Sequence, residues 1–322
     1  MRINRCGRIR SVIYKRLIDV FAVLVRKANK IRTMIMKQIK QILLWMSRAI
    51  PDKYYLRIVY RMKMGERLSL NNPRMYTEKI QWLKLNDAKP EYTQWVDKHL
   101  VKEYVARIIG EEHIIPTYGV WDRAEDIDFD VLPNQFVLKC NHDSTSVIIC
   151  RDKESFDKEA ACKKLSKCLK NDFFYVGREY PYRDVNRKIL AEAYMEDEKL
   201  QELRDYKFFT FGGVPKIVHV VSNRQKADED TYGDFFDMDY KHVNLHMGHD
   251  FAPVPPEKPC NFEKMKQFAR VLSAGTRHLR VDFYEVNGKL YFGELTFYQD
   301  SGWKKIEPTE WNKLLGSWID LN

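Results

Sequence analysis

Residues 135–150 read QFVLKCNHDSTSVIIC. Two apolar β-type runs, Phe136–Leu138 and Val147–Cys150, flank a short polar loop, and a single cation, Lys139, stands where the first run ends. A strand–loop–strand unit with a lysine at its rim can hold a triphosphate. Backbone N–H groups of the loop donate to phosphate oxygens and the lysine adds a point charge. The reading gains weight from acids downstream, in HLRVDFYEVNGKLYFGELTFYQDSG (278–302). Asn287-Gly288 between two alternating runs is the strongest short-range hairpin signal in the chain. That hairpin sets Asp282 and Glu294 on facing strands, where opposed side chains come within about 5 Å. Two carboxylates so close repel unless a cation lies between them, and Mg²⁺, a hard ion that takes oxygen ligands, suits the place. Arg280, two residues before Asp282, points to the same face. The competing reading is a hairpin of solvated charges, or an Arg–carboxylate pair that only locks the sheet.

The totals bound the rest. The 322 residues suffice for one large domain or two to three modest ones, and with 44% hydrophobic residues they can bury a substantial core. The net charge of +10 is unevenly placed. Residues 1–50 carry thirteen Lys/Arg against Asp19 alone, whereas residues 51–322 hold 42 bases and 44 acids, so a nearly neutral body carries a basic N-terminal arm. None of the six cysteines (6, 140, 150, 162, 168, 260) forms a Cys-x-x-Cys pair, which reads as free thiols in a reducing, cytoplasmic setting. No apolar run of eighteen residues exists, and Val20–Val25 is too short to span a bilayer and lacks a following cleavage site.

Within the arm, Ile31, Ile35, Ile39, Ile42, Leu43, Met46 and Ile50 recur at helical spacing with Lys37, Lys40 and Arg48 largely off the stripe. Ile13, Leu17, Val20, Phe21 and Leu24 repeat the pattern upstream. A basic amphipathic helix reads as a surface for an anionic membrane, each cation adding about 1 kcal/mol; a helix packed on the body, or a coiled-coil arm, is the alternative. Nucleic acid is not expected as a partner, because only Tyr14, Phe21 and Trp45 stand among these charges.

Along the body the spacing predicts helices over 52–64, 77–86, 93–109, 155–169 and 262–276. Strands are predicted near Lys139, over 189–195, and in hairpins 205–211/216–221 and 278–286/289–295. Residues 171–187 read as loop and 222–250 as a long polar excursion. Helices first, then antiparallel pairs alternating with helices, argue an α+β fold.

Several segments together resemble the ATP-grasp superfamily and, within it, the TupA-like branch found with bacterial surface-polysaccharide synthesis. They are TEKIQWLKLND (77–87), VDKHLVKEYVARIIGEEHIIPTYGV (96–120), DIDFDVLPNQFVLKCNHDS (126–144), KILAEAYMED (188–197), LRDYKFFTFGGVPK (203–216) and VDFYEVNGKLYFGELTFYQDSG (281–302). The resemblance runs from about Asn71 to Trp303 and leaves residues 1–50 outside. It implies two α+β subdomains with antiparallel sheets clasping ATP, expected at 134–191 and 192–322, after an N-terminal region at 51–133. By position, Lys139 matches the strand lysine on the nucleotide phosphates. His142 to Ser146, including Asp143 and Ser144, matches the mobile phosphate loop, here without glycine. Glu192 matches the acid near the adenine amino group, and Ala193, Tyr194 and Met195 the linker that reads the adenine edge. Glu196 or Asp197 would hold the ribose. Asp205 and Lys207 match a polar pair facing the phosphates, Arg280 a phosphate-contacting base, and Asp282 and Glu294 the metal-holding acids. Thr296 stands where many ATP-grasp ligases have a metal-binding asparagine, which leaves the second metal to water and phosphate or to Gln299 or Asp300.

The resemblance further implies carboxylate–amine ligation. ATP, with Mg²⁺, would phosphorylate a carboxylate, an amine would attack the acyl phosphate, and phosphate would leave; positioning and charge neutralisation do most of the work. With the basic arm, this points to an enzyme at the inner membrane face that joins an amino acid or similar amine to a glycan-linked carboxylate. Two other classes compete. Glycosyl transfer is weakened because Asp126-Ile127-Asp128 and Asp237-Met238-Asp239 share only the spacing of a nucleotide-sugar motif. A non-catalytic membrane-peripheral scaffold is weakened by intact Lys139, Glu192, Asp282 and Glu294. His242, His246 and His249 read as ordinary loop histidines before acceptor contacts or zinc. Asp97-Lys98 reads as a cap and pair along its helix, without chemistry.

Overall fold

A computed structural model describes residues 44–224 and 230–322. The chain divides into two units, Met1–Pro51 and Asp52–Asn322. The basic helical segments expected within 1–50 lie almost wholly outside the described residues.

The second unit opens with four helices: α1 (Asp52–Met64), α2 (Tyr76–Asn86), α3 (Glu91–Val96) and α4 (Leu100–Ile109). Ile80 and Leu83 of α2 are buried, and the Glu78 carboxylate reaches back to accept from the Arg74 and Met75 amides, satisfying N–H groups that a helix start leaves unpaired. The single helix expected over 93–109 is two. Asp97 breaks it: one carboxylate oxygen accepts from the His99 and Leu100 amides and the other from the Asn141 side chain, so a new helix is capped where periodicity alone predicted continuity. Gly110, at φ +102°, ends α4.

The first sheet takes β1 (Thr117–Trp121), β2 (Phe136–Cys140), β3 (Ile148–Cys150) and β4 (Ile189–Ala193) in the antiparallel order β1-β4-β2-β3. Its apolar face, with Phe136, Leu138 and Ala191, packs with Leu165 of α5 (Lys158–Leu169), which Asp157 caps by accepting from the Ala160 amide. β1 lies inside the region expected to precede the nucleotide-gripping part, and β4 carries Glu192, so the first sheet runs on past residue 191 to Ala193. Residues 171–187 are not all loop: they hold a short helix, α6 (Phe174–Gly177), and a 3₁₀ turn, Tyr180–Tyr182.

The second sheet orders β5 (Asp205–Phe211), β6 (Val214–Ser222), β7 (Tyr232–Phe236), β8 (His242–Val243), β9 (His278–Val286) and β10 (Lys289–Thr296) as β10-β9-β5-β6-β7-β8. The polar excursion expected over 222–250 thus contributes two strands, and Phe235 and Phe236 of β7 are buried. Phe208 and Phe283 face Phe262, at the start of α7 (Phe262–Leu272), and Phe268 within it. On the opposite face, Phe209, Phe211 and His278 pack against Tyr76 of α2. A last helix, α8 (Thr309–Ser317), buries Leu315. The β9–β10 turn is as expected: Asn287 and Gly288 both take positive φ, +51° and +74°, which a two-residue hairpin of this twist requires.

Candidate functional site

Register builds the site. Glu294 of β10 faces Asp282 of β9, Asp282 faces Lys207 of β5, and Lys207 faces His219 of β6. Antiparallel neighbours present the same face, so four adjacent strands carry acid, acid, lysine and histidine in one row. Arg280, two residues from Asp282, lies on that face and closes the network. Its guanidinium donates to both Asp282 oxygens at 2.6 Å and to Glu294 Oε1 at 2.7 Å, and it also donates to Gln299. Lys207 Nζ bridges Asp205 (3.1 Å) and Asp282 (2.8 Å), and Arg224 adds a second cation on Asp205. Burial would raise the Asp205 pKa, but Lys207 and Arg224 outweigh it and the net shift is downward. Glu294 behaves likewise: the burial cost is overcome by Lys98, Arg280, Lys207 and Arg224, which hold its carboxyl far below the usual range.

This face opens on a cavity of about 570 Å³, within the roughly 300–1,000 Å³ typical of small-molecule sites. Lys207, His219, Arg224, Arg280 and Glu294 form one wall, and Asp143 and Ser144, from the loop between β2 and β3, form another. Among the described residues, cations outnumber acids around it: Lys63, Lys98, Lys207, Arg224, Arg280 and Lys304 against Asp143, Glu179, Glu294 and Asp300. Such a lining favours a polyanion.

The expected phosphate loop is partly inverted. The His142 ring is buried rather than presented, and burial lowers its pKa. Asp143 turns inward to accept from Ser146 and Thr145 while still reaching the cavity, and Ser144 is exposed. Lys139 and Glu192 meet diagonally across β2 and β4, where Lys139 pairs with Leu190 and Glu192 with Val137, and their charged groups are 2.5 Å apart. They are not among the side chains that line this cavity.

A second lysine that the sequence reading missed, Lys102, also binds Glu192 at 2.7 Å. Burial pushes Glu192 up, Lys139 and Lys102 overcome it, and the net pKa is lowered. Lys98, given no chemistry from sequence, is the link between the two regions. Its amide donates to the Asn141 carbonyl beside β2, and its Nζ lies 3.7 Å from Glu294. No local pattern marks either lysine, because their partners are about 90 and 196 positions away.

In the expected linker, Ala193 ends β4, Tyr194 donates to Glu196, and Met195 is half-buried. Asp197 does not fit a ribose-holding role. One of its oxygens accepts from the Lys199 and Leu200 amides and the other from the Asn287 amide, so it serves a turn and the β9–β10 hairpin; Glu196 is less committed. The Asp-x-Asp pairs are likewise structural. Asp126 pairs with Arg123, and Asp237 accepts from the Asp239 and Lys241 amides. His242 pairs with Asp234, and His246 stacks on Phe251.

The residues fit a hard divalent cation. Asp282 and Glu294 oppose each other with a cationic guanidinium bridging them, and the Thr296 hydroxyl and Gln299 amide oxygen sit beside the pair. Two carboxylates, further oxygen donors and an adjoining phosphate-sized space are the ligand set that Mg²⁺ takes. No larger His/Cys/Asp/Glu cluster that could hold a metal occurs among the described residues.

The family model described as TupA-like ATPgrasp matches residues 78–320. The chain belongs to the TupA-like ATP-grasp family. No curated protein matches the chain. Among solved structures it is similar to a D-alanine–D-alanine ligase from Bacillus anthracis complexed with ATP, at 15% identity over 63% of this chain and 55% of that one, TM-score 0.38. It is also similar to an L-amino acid ligase from Bacillus licheniformis, at 12% identity over 78% of this chain and 56% of that one, TM-score 0.43. The match thus spans little more than half the length of these two structures. The TupA-like chain has no helix long and apolar enough to cross a membrane among its described residues. Its five described cysteines are free.

Proposed function

We propose that this TupA-like protein is an ATP-dependent carboxylate–amine ligase that works through an acyl phosphate. The observation that carries the reading is the row Glu294–Asp282–Lys207, clasped by Arg280, on a sheet face that opens into a cation-lined cavity beside Ser144. The nucleotide would extend from the Glu192–Met195 edge of the first sheet, with its phosphates under Asp143 and Ser144. Lys139 would turn from Glu192 to a phosphate, and Lys102 would keep the Glu192 charge balanced when it does. Asp282 and Glu294 would hold Mg²⁺, whose chemistry is to neutralise charge across the phosphate oxygens. Lys207 and Arg280 would meet the transferred phosphoryl group, where negative charge gathers. The carboxylate of the second substrate accepts that group, an amine displaces it, and ADP and phosphate are released.

The finer substrate reading is an amine, such as an amino acid, joined to a carboxylate on a surface-polysaccharide precursor. The protein would be cytoplasmic and held at an anionic inner membrane face by residues 1–50. The family resemblance and the thirteen bases of that segment support it. The test is ADP and phosphate release by the full chain with amino acids and uronic acids as candidate carboxylates, with and without anionic vesicles. Carboxylate-dependent ADP release, with protein sedimenting on the vesicles, is expected. ATP left intact with every pair would contradict the ligase, and protein left in the supernatant would contradict only the membrane part.

A further inference from the structure

The helix α1 is apolar on two faces, and the fold uses one of them. Leu56 and Tyr60 are buried against the body. Tyr54, Ile58 and Met62, at i, i+4 and i+8, form a second stripe that points outward and is 57%, 50% and 79% exposed. Single apolar side chains on a surface need no explanation, but a continuous stripe along one helix does. Bases frame it. Arg57 and Arg61 run along one flank with Lys53 beyond them, and Lys63 stands on the other. The helix holds these four bases against one acid, Asp52, which pairs with Arg178 and Arg183 at 3.4 and 3.7 Å. The stripe also adjoins the candidate site. Lys63 lines the cavity, as do Phe173, Val176 and Gly177. The Tyr55 hydroxyl donates to the Val176 carbonyl at 3.1 Å and fastens α6 beside α1. Val176 and Lys63 are exposed, so the flank of α1 and the rim of the cavity are one surface.

Charge decides what covers the stripe. Residues 1–50 carry thirteen bases against one acid, and a second copy of the chain would bring the same four bases of α1, so like charges oppose both. An anionic bilayer meets both features at once, with phosphates for the bases and acyl chains for the stripe. The stems of Arg57, Arg61 and Lys53 can lie along apolar surface while their charged ends stay at the phosphates. The Tyr54 ring, apolar with a polar tip, suits the boundary between the two. We propose that the outward face of α1 seats the body on an anionic lipid surface and sets the Lys63 rim of the cavity at the headgroup layer. The inference deepens the membrane part of the reading above and rests on it, not on the ligase chemistry: residues 1–50 supply attraction, and α1 fixes which face of the body meets the lipid.

The test uses the full chain with vesicles of phosphatidylglycerol and phosphatidylcholine, or of phosphatidylcholine alone. Ile58→Glu with Met62→Glu puts charge into the stripe at two exposed positions outside the cavity. It should weaken sedimentation with the anionic vesicles about 10-fold or more and leave the urea midpoint where wild type has it. A wild-type measurement guards against a misfolded variant. In hydroxyl-radical footprinting, anionic vesicles should slow oxidation of Met62 about 3-fold or more relative to Tyr118 on β1, and phosphatidylcholine alone should not. A folded variant that sediments as wild type does, or Met62 oxidised equally with and without anionic vesicles, overturns the role of α1 and leaves the membrane reading to residues 1–50. Met62 already shielded without lipid means that the chain or a second copy covers the stripe, and overturns it too. Wild type left in the supernatant with both lipids ends this inference and the membrane reading together, while ADP release measured without vesicles still decides the ligase.

Discussion

Arg280 shows how much one side chain settles here. It binds Asp282 through two nitrogens, reaches Glu294 with one of them, and is buried, so one fork balances the charge of both carboxylates. Its neighbour two positions back, His278, is tuned in the opposite direction. The Thr210 carbonyl can only accept, so His278 Nδ1 carries the proton there, and Nε2 accepts from the Tyr76 hydroxyl. Burial is the main cause that lowers its pKa to about 4, with Arg280 adding to the effect. The unfolded chain would titrate near the usual 6.5, so between about 6.5 and 4 the unfolded state binds the extra proton. This stabilisation is present above that window and is lost as pH falls through it, on the order of 3 kcal/mol at full loss. Urea midpoints at pH 7 and pH 4.5 should therefore differ more for wild type than for His278→Gln. An equal difference would mean that the ring is already protonated or exposed.

At the scale of elements, local signals told most where neighbours in sequence are neighbours in space. The β9–β10 hairpin was legible because Asn287-Gly288 dictates the turn and the turn dictates that Asp282 meets Glu294. β2 and α2 were legible from apolar period. β7 was hidden, because its buried phenylalanines sit within a polar stretch and gain their surroundings from β6, from Phe209 of β5 and from Tyr240. His219 was hidden for the converse reason. It lies inside the apolar run Ile217–Val221, and nothing in that run says which face meets Lys207. The break between α3 and α4 was missed because the Asn141 side chain that holds the capping Asp97 in place is 44 positions away. That break is testable. Asp97→Ala removes a cap and a buried side-chain hydrogen bond, and should cost about 1–2 kcal/mol in denaturant unfolding. It should also weaken nucleotide binding, because Lys98 loses its fixed approach to Glu294. Unchanged stability and binding would show that the turn holds itself.

The whole body places two antiparallel sheets in sequence order, the first carrying Lys139 and Glu192 and the second carrying the acid–lysine–histidine row. Sequence supplied both sets but not their bridge through Asp97, Lys98 and Asn141. The central claim is that the cation-lined cavity takes the phosphates of a magnesium-bound nucleotide against Glu294 and Lys207. Calorimetric titration of ADP into the full chain, with and without Mg²⁺, tests it directly when repeated with Glu294→Gln and Lys207→Met. The account predicts that wild type binds ADP more tightly with Mg²⁺, that Glu294→Gln abolishes the gain from Mg²⁺, and that Lys207→Met weakens binding about 10-fold or more, as loss of a charge-assisted contact should. Wild-type binding that ignores Mg²⁺, or variants that bind as wild type does, would contradict it.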